Sequence, residues 1–278
     1  MRTLIIGVAL LCVGALAHAA TTTVKFDGHA AFEITTPQGH VLVIDPWLNN
    51  PLNPAHKNNQ DAVNAVPKAD YILLTHGHFD HVGDTVELAN KTGAHLISAF
   101  ELGMQLVKYA GFPPKQLGFD TQMNIGGEIT VAGGEVMVKM VPAIHASGVD
   151  VPDGSGKGTM TVYGGNPGGY ILVIKDGPTI YHTGDTDYYS DMKLIGEEFH
   201  PDLALINIGG HFDMEVPWAA QCAKAVQAKL VVPMHFKTFP VITQDPGEFF
   251  KLLDQEHIKH YLMEPGSTLK FNGKTPEM

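Results

Sequence analysis

The chain has 278 residues, of which 44% are hydrophobic; this suits a globular protein and excludes a chain that is disordered throughout. The formal net charge is -11 at pH 7, and the only arginine is Arg2. Nucleic-acid backbones are anionic and are usually bound by basic surfaces, so this charge argues against a nucleic-acid partner. A guanidinium clamp for phosphate or carboxylate is also missing from the rest of the chain.

The N-terminal residues have the pattern of a secretory signal peptide. Arg2 is followed by an apolar stretch over 4–16 and by the small-residue sequence AHA at 17–19, which suits cleavage by a signal peptidase. We predict a signal peptide over 1–19, a single domain over 20–278, and an exported protein, periplasmic or secreted. A transmembrane anchor is the alternative. No stable anchor is expected, because the apolar stretch is shorter than the ~20 residues that span a bilayer.

The next part of the chain predicts strands first and helices later. Alternating segments predict a meander, with PQG at 37–39 as a hairpin turn, and a buried strand ends directly before His76. A later helix stops at Gly111, just before two prolines. The predicted elements, in chain order, are strands at 24–28, 30–36, 40–45 and 71–74, a helix at 82–91, a strand at 95–98 and a helix at 101–110.

The second half alternates strands with helices around one continuous core. Residues 146–169 are rich in glycine and predict a long mobile loop of the kind that forms lids, with a disordered insertion as the alternative. The whole pattern predicts a mixed α/β fold of two packed sheets with helices outside. The predicted elements are strands near 128–131, 135–141, 170–175, 179–181, 203–206, 230–232 and 260–262 and helices near 188–198, 216–228 and 246–256.

The strongest chemical signal is the turn THGHFDH at 75–81, directly after a buried strand. Its imidazoles and carboxylate belong to His76, His78, Asp80 and His81, and such groups bind zinc and similar divalent ions. A tight turn can aim the first two histidines at one ion while the other two side chains face a second. A solvated histidine-rich loop is the alternative, but further ligand-type residues at later strand ends argue against it.

Three such residues, His145, Asp185 and His235, each follow a predicted strand. Together with the turn they resemble the signature of the metallo-β-lactamase superfamily, HxHxDH followed by a later His, an Asp and a last His. The resemblance covers nearly all of the chain after residue 19. Three further segments resemble the branch of uncharacterised metal-dependent hydrolases related to ascorbate-6-phosphate lactonase, namely DGHA at 27–30, IGGHF at 208–212 and PMHF at 233–236.

This resemblance implies a four-layer αββα sandwich with two divalent metal ions between the upper edges of the sheets. It assigns His76, His78 and His145 to one ion and Asp80, His81 and His235 to the other, with Asp185 as the bridge. Nitrogen and oxygen ligands suit Zn2+, Mn2+ and Fe2+, and zinc is the expected metal.

The same resemblance implies a hydrolase. Common zinc β-lactamases have a cysteine in place of Asp185 or lack the bridging carboxylate, and the diiron flavoproteins of the superfamily have an acidic residue in place of His78. Antibiotic hydrolysis and redox chemistry are therefore disfavoured. Two ions ~3.5–4 Å apart lower the pKa of a shared water, and the resulting metal-bridged hydroxide attacks a carbonyl or phosphoryl centre, oriented by Asp80.

We predict cleavage of a small ester, lactone or related acyl bond in a small-molecule substrate. A small-molecule phosphodiesterase and a non-catalytic metal-binding or partner-binding module are the alternatives. His29 and His211 are expected to contact substrate or a developing oxyanion, or else to hold a ligand in place from behind. Asp45 is expected to support a metal-binding histidine or to cap a turn, and His182 to be structural.

Overall fold

Two β-sheets face each other across the hydrophobic core of the computed structural model, which describes residues 21–57 and 61–278. The predicted signal peptide lies outside the described residues. The strands are β1 (Thr21–Gly28), β2 (Ala31–Thr35), β3 (Val41–Ile44), β4 (Tyr71–Leu73), β5 (His95–Ala99), β6 (Gln122–Met123), β7 (Glu128–Val131), β8 (Val136–Pro142), β9 (Gly148–Pro152), β10 (Thr159–Tyr163), β11 (Gly168–Ile174), β12 (Thr179–His182), β13 (Leu203–Asn207), β14 (Val231–Met234), β15 (Thr268–Asn272) and β16 (Thr275–Glu277).

The helices lie between these strands and are short. They are α1 (Pro54–Lys57), α2 (Phe79–Val82), α3 (Thr85–Thr92), α4 (Phe100–Gln105), α5 (Met192–Phe199), α6 (Val216–Val226) and α7 (Gly247–Gln255). A π-helical turn over Leu106–Ala110 continues α4, and 3-10 turns occupy Pro114–Gln116 and Ala132–Gly134. Within the described residues, no helix is both long enough and apolar enough to cross a bilayer.

The first sheet has the strand order β16-β15-β1-β2-β3-β4-β5-β6, and the second has the order β14-β13-β12-β11-β8-β7. In the first sheet, β2 is antiparallel to both β1 and β3, and β3 is parallel to β4, so β1, β3 and β4 run in the same direction. In the second sheet the same reasoning aligns β8, β12 and β14. Each sheet therefore delivers the residues after three of its strands to one edge.

The inner faces of both sheets share one hydrophobic cluster, which includes Phe26, Phe32 and Tyr170 and takes in Leu88 of α3 and Leu102 of α4. The other face of the second sheet packs against α5, α6 and α7 in a second cluster. Residues three or four positions apart form the buried face of α6. The predicted α/β sandwich, with helices outside two packed sheets, is thus confirmed.

Two predictions about individual elements were wrong, and three strands were missed. Residues 146–169 are not a long loop, because β9 and β10 pair as an antiparallel hairpin with Val149 and Val151 buried. The alternation of these valines with polar residues is typical of a strand, but it lies beside a glycine-rich tip that dominates the composition. In place of a strand at 260–262 there is only a single bridge between His260 and Val231, and the strands β6, β15 and β16 at the two sides of the first sheet were missed.

Candidate metal centre

All seven predicted ligands lie at the shared edge of the two sheets. The turn at 75–81 follows β4, whereas His145, Asp185 and His235 come after β8, β12 and β14, respectively. Because these strands run in the same direction within each sheet, their following residues converge. The structure therefore brings together side chains that are separated by up to 159 positions in the sequence, as between His76 and His235.

Asp185 lies at the centre of the cluster. Its Oδ2 atom is 3.1 Å from Nε2 of His81 and 3.0 Å from Nε2 of His235. The Nε2 atoms of His76 and His145 lie on its other side, at 3.9 and 3.8 Å. One carboxylate oxygen thus faces four imidazoles, which is the position that a bridging ligand needs.

Two groups of ligand atoms flank this carboxylate. His76, His78 and His145 form one compact group, with Nδ1 of His78 3.0 Å from Nε2 of His76 and 3.3 Å from Nε2 of His145. The other group contains Asp80, His81 and His235, together with His29. These groups contain the two ligand sets that the superfamily resemblance implies, but a further compact group joins His76, His81 and Asp185, so the assignment to two ions stays a prediction.

Asp45 supports histidines of both groups. Its Oδ2 atom accepts a hydrogen bond from Nδ1 of His81 at 2.8 Å and another from Oγ1 of Thr75 at 2.7 Å. Since the Thr75 hydroxyl proton is used in this way, its oxygen accepts from Nδ1 of His76 at 3.0 Å. Both rings are therefore held from behind through Nδ1, and their Nε2 atoms are directed to the centre. The expected supporting role of Asp45 agrees with this geometry.

His29 and Asp213 support the remaining buried side chains. Nε2 of His29 lies 3.1 Å from Oδ2 of Asp80, and its Nδ1 lies 2.7 Å from Oγ1 of Thr238. Asp213 Oδ2 is 2.9 Å from Nδ1 of His235, an ion-pair contact outside hydrogen-bond geometry. Sequence reasoning missed Asp213 and Thr238. The only signal was their proximity to the IGGHF and PMHF segments.

Neither His29 nor His211 lines the cavity beside Asp80 and Asp185. His29 is fully buried and lies behind Asp80, so it supports a ligand instead of facing a substrate. His211 is exposed and lines a separate depression beside Glu215 and Thr243, while its neighbour Phe212 reaches the cavity of the metal centre. His182 is structural as expected: its Nε2 donates to the carbonyl of Ala30 at 3.0 Å.

The backbone is tightly constrained around the centre. His29, Asp45 and His235 have φ values of 59°, 45° and 57°, in the left-handed region that non-glycine residues seldom adopt. Such strain persists where the surrounding structure imposes it, commonly at functional sites. In the ligand turn, a Cβ on Gly77 would lie 2.6 Å from Val149 of the β9–β10 hairpin, so this position requires glycine.

Electrostatics separates the histidines into two types. Burial lowers the pKa of His76, His78 and His145, so their rings are neutral at neutral pH, the form that binds a metal ion. Burial acts in the same direction on His81 and His235, but Asp185 and a second aspartate outweigh it and raise their pKa well above the usual value. Burial alone would raise the pKa of Asp185, yet His235 and His81 hold it well below its usual range.

The donor set fits divalent metal ions. Oδ1 of Asp185 and Nε2 of His235 are buried and have no hydrogen-bond partner among the described residues. Buried polar atoms are rarely left without a partner unless an ion or water completes the site. Imidazole nitrogens and carboxylate oxygens suit zinc, manganese or iron(II), and the carboxylates offset the positive charge of such an ion.

A cavity of about 530 Å³ opens over the centre. His78, Asp80, His145, Asp185 and His235 form its polar lining. This volume lies within the range of ordinary small-molecule sites. The remaining lining is apolar and comes from Phe79 of the ligand turn, Phe212, Phe239, Pro240 and Val241.

Comparison with known proteins identifies the family. A model of the beta-lactamase superfamily domain matches residues 40–236. The UPF0173 metal-dependent hydrolase of Thermodesulfovibrio yellowstonii is 45% identical over 257 residues, which cover 92% of this chain and 94% of the relative. The chain belongs to the UPF0173 metal-dependent hydrolases. This UPF0173 chain is also 47% identical over 251 residues to a UPF0173 hydrolase of Anaeromyxobacter dehalogenans, covering 90% of this chain and 87% of that relative.

A solved structure supports the same assignment. Igni18, a metallo hydrolase from the archaeon Ignicoccus hospitalis, is 34% identical, with a TM-score of 0.75 over 90% of this chain and 98% of its own. The UPF0173 protein is thus a metal-dependent hydrolase of the metallo-β-lactamase fold, and the non-catalytic alternative is set aside. The narrower kinship with ascorbate-6-phosphate lactonase stays a prediction.

Proposed function

We propose that this hydrolase binds two divalent ions and cleaves a small ester, lactone or related acyl bond. The observation that carries the proposal is the position of Asp185, whose Oδ2 atom lies within 4 Å of imidazoles from both ligand groups. A carboxylate in that position suits a bridge between two ions. A site with a single ion would leave the side chains of one of the two groups without a metal ion to bind.

In this proposal one ion is held by His76, His78 and His145, the other by Asp80, His81 and His235, and both by Asp185. A bound pair of divalent ions supplies a lowered pKa for water and a Lewis acid that polarises the scissile carbonyl. Zinc is the proposed metal, with manganese and iron(II) as the alternatives that the donor set allows.

The residues of the chain position the reactants. Burial by itself would raise the pKa of Asp80, but His235 and His29 hold it below its usual range, so Asp80 is ionised. Its Oδ2 atom faces His29, which leaves Oδ1 to accept a hydrogen bond from the attacking water. Burial lowers the pKa of His29 to about 3, so this ring is neutral and donates from Nε2 while Nδ1 accepts from Thr238. His29 is therefore a positioning residue for Asp80.

The proposal is tested by metal analysis and by a substrate panel of lactones, thioesters, carboxylic esters, phosphodiesters and β-lactams. We expect two metal ions per chain and turnover of carboxylic esters or lactones. Asp185→Ala should lose at least one ion and reduce kcat/KM about a thousandfold or more. Asp187→Ala is the matched control, because this aspartate is exposed and two positions away.

Several outcomes would contradict the proposal. One ion per chain in the fully active enzyme would refute the two-ion arrangement. Turnover of phosphodiesters alone would show that the enzyme cleaves a phosphodiester bond instead of an acyl bond. Equal activity of Asp185→Ala and Asp187→Ala would show that Asp185 does not bridge two ions.

We also propose that residues 1–19 direct export and are removed. The apolar stretch at 4–16 and the AHA sequence at 17–19 support this. N-terminal sequencing of the protein from the periplasmic fraction or the medium should find the mature chain beginning at Ala20. A cytoplasmic protein that retains residues 1–19 would refute it.

A further inference from the structure

The cavity over the metal centre has an unusually exposed apolar wall. Phe79, Phe212 and Val241 are 59%, 57% and 58% exposed, and all three line this cavity. Contiguous apolar side chains on a protein surface usually mark a site of contact with another molecule. Since this wall is continuous with the candidate ligands, the molecule that contacts it also reaches the metal centre.

Stacked rings make part of the wall rigid. Phe239 stacks on Trp47, with ring centroids 5.6 Å apart and planes inclined by 12°. Phe79 meets these two rings edge-on, at 5.8 Å from Trp47 and 6.1 Å from Phe239. An aromatic surface held in this way loses little conformational entropy when an apolar group packs on it.

The charge of the cavity is equally informative. Its ionisable lining consists only of candidate metal ligands, and no lysine or arginine of the described residues lines it. Lys237 comes two positions after His235, but it lines a different cavity together with Asp245 and Glu264. A negatively charged substituent placed beyond the metal ions would therefore lose its hydration without gaining a cationic partner.

We propose that the substrate carries an uncharged alkyl or aryl group beside its scissile acyl bond, and that this group packs against Phe79, Phe212, Phe239 and Val241. This inference rests on the proposed ester or lactone hydrolysis and names the substrate class of that same site. It disfavours substrates with a phosphate or carboxylate on the non-reacting part. Phe212 and Val241 are assigned as specificity-determining residues.

The kinetic test compares 4-nitrophenyl acetate, butyrate, hexanoate and hemisuccinate on the metal-loaded protein. We expect kcat/KM to rise about fourfold for each methylene that the wall buries. Butyrate and hemisuccinate have acyl groups of similar length, and the charged member should be at least ten times slower. Phe212→Ala should flatten the chain-length series, and Phe212→Lys should narrow or reverse the preference for butyrate over hemisuccinate.

Phe119→Ala is the matched control, because Phe119 is 87% exposed and does not line the cavity. It should reproduce the wild-type series. If esters are hydrolysed with no dependence on acyl length and no discrimination against hemisuccinate, the apolar-substrate inference is overturned while the proposed function stands. The inference is also overturned if Phe119→Ala flattens the series as much as Phe212→Ala does.

A binding measurement keeps the inference testable if no ester is hydrolysed. Calorimetry would compare acetophenones with a para-methyl or a para-carboxylate group, since neither can be hydrolysed. We expect the neutral ligand to bind at least ten times more tightly and Phe212→Ala to weaken the binding of the neutral ligand. Equal affinities would refute the inference. So would a dimer in sedimentation experiments that dissociates in Phe212→Lys, because a second copy would then cover the wall.

Discussion

The ligand-type side chains of this metal centre are held in two different ways. His76, His81, His235 and Asp80 are buried, and each has a supporting side chain behind it: Thr75, Asp45, Asp213 and His29, respectively. His78 and His145 are less completely buried, and among the described residues their ring nitrogens contact only other ligand-type residues. The protein thus holds the four supported ligands more rigidly than His78 and His145.

The largest expected contrast is in the stability of the metal-free protein. His81→Ala removes a ring that lies between Asp45 and Asp185 and leaves two buried carboxylates without this partner, so we expect a loss of about 3–5 kcal/mol. His145→Ala removes a ring that is 10% exposed and has no supporting side chain behind it, so we expect a smaller loss, of about 1 kcal/mol. Urea unfolding in the presence of a chelator measures both values. Similar losses in the two variants would contradict the distinction between supported and unsupported ligands.

The second contrast concerns metal affinity. Asp45→Asn weakens the support of both His81 and His76, and loss of such a support typically lowers metal affinity about 10–100-fold. Competition with a chromophoric chelator would measure this change. Asp202→Asn is the matched control, because Asp202 is equally buried but binds Thr179 and Lys229 away from the centre. An unchanged affinity in Asp45→Asn would show that the inner ligands need no support.

Metal removal provides a third test. The ion proposed to be held by His76, His78 and His145 should leave first, because His78 and His145 are not fully buried and have no supporting side chain behind them. Titration of the two-ion protein with a chelator is expected to show two steps separated by about tenfold in chelator concentration. His145→Ala should eliminate the more labile step and preserve the other. Release of both ions in one step, in wild type and variant alike, would contradict the expected difference in lability between the two proposed ions.

How far the sequence allowed prediction depends on the kind of residue. The seven ligand-type residues could be found because each follows an apolar strand, and parallel strands carry their following residues to one edge of a sheet. Asp213 could not be found in this way, because it lies in an irregular segment six positions after β13 ends at Asn207. The position of His211 was missed for a related reason: a positive φ of 55° accompanies its exposure, and Phe212 lines the cavity instead.

The fold was predicted best where the apolar pattern extends over many residues. The sandwich followed from alternating strands and helices, whereas the β9–β10 hairpin was obscured by the glycine-rich residues between its strands. The strands β15 and β16 at the edge of the first sheet expose alternate residues, such as Thr268 and Lys270, and carry little apolar signal. Edge strands and short hairpins obtain their order from tertiary contacts, which a local pattern does not contain.

The smallest expected effect is a pH dependence at His182, which lies outside both ligand groups. Burial lowers its pKa, and its ring is fixed as a neutral tautomer because Nδ1 accepts from the amide of Gly184 and Nε2 donates to Ala30. The unfolded chain takes up a proton below a pH of about 6.5 that the folded His182 does not, so this contribution to stability is lost as the pH falls.

We expect the metal-free His182→Asn variant to lose less stability than wild type between pH 6.5 and 5.5, by at most about 1 kcal/mol, since one proton corresponds to ~1.4 kcal/mol per pH unit. Urea unfolding at the two pH values gives the slopes. His257→Asn is the matched control, because it makes the same change at an exposed histidine. A His182→Asn slope as steep as that of wild type would contradict the neutral assignment.

The anchoring of two histidines by Asp45 has a mechanical consequence. His81 binds this carboxylate directly and His76 binds it through Thr75, and the two rings belong to different ligand groups. The position of this one carboxylate therefore sets the orientation of a ring in each group. A change at Asp45 acts on both halves of the centre together and cannot disturb one half alone.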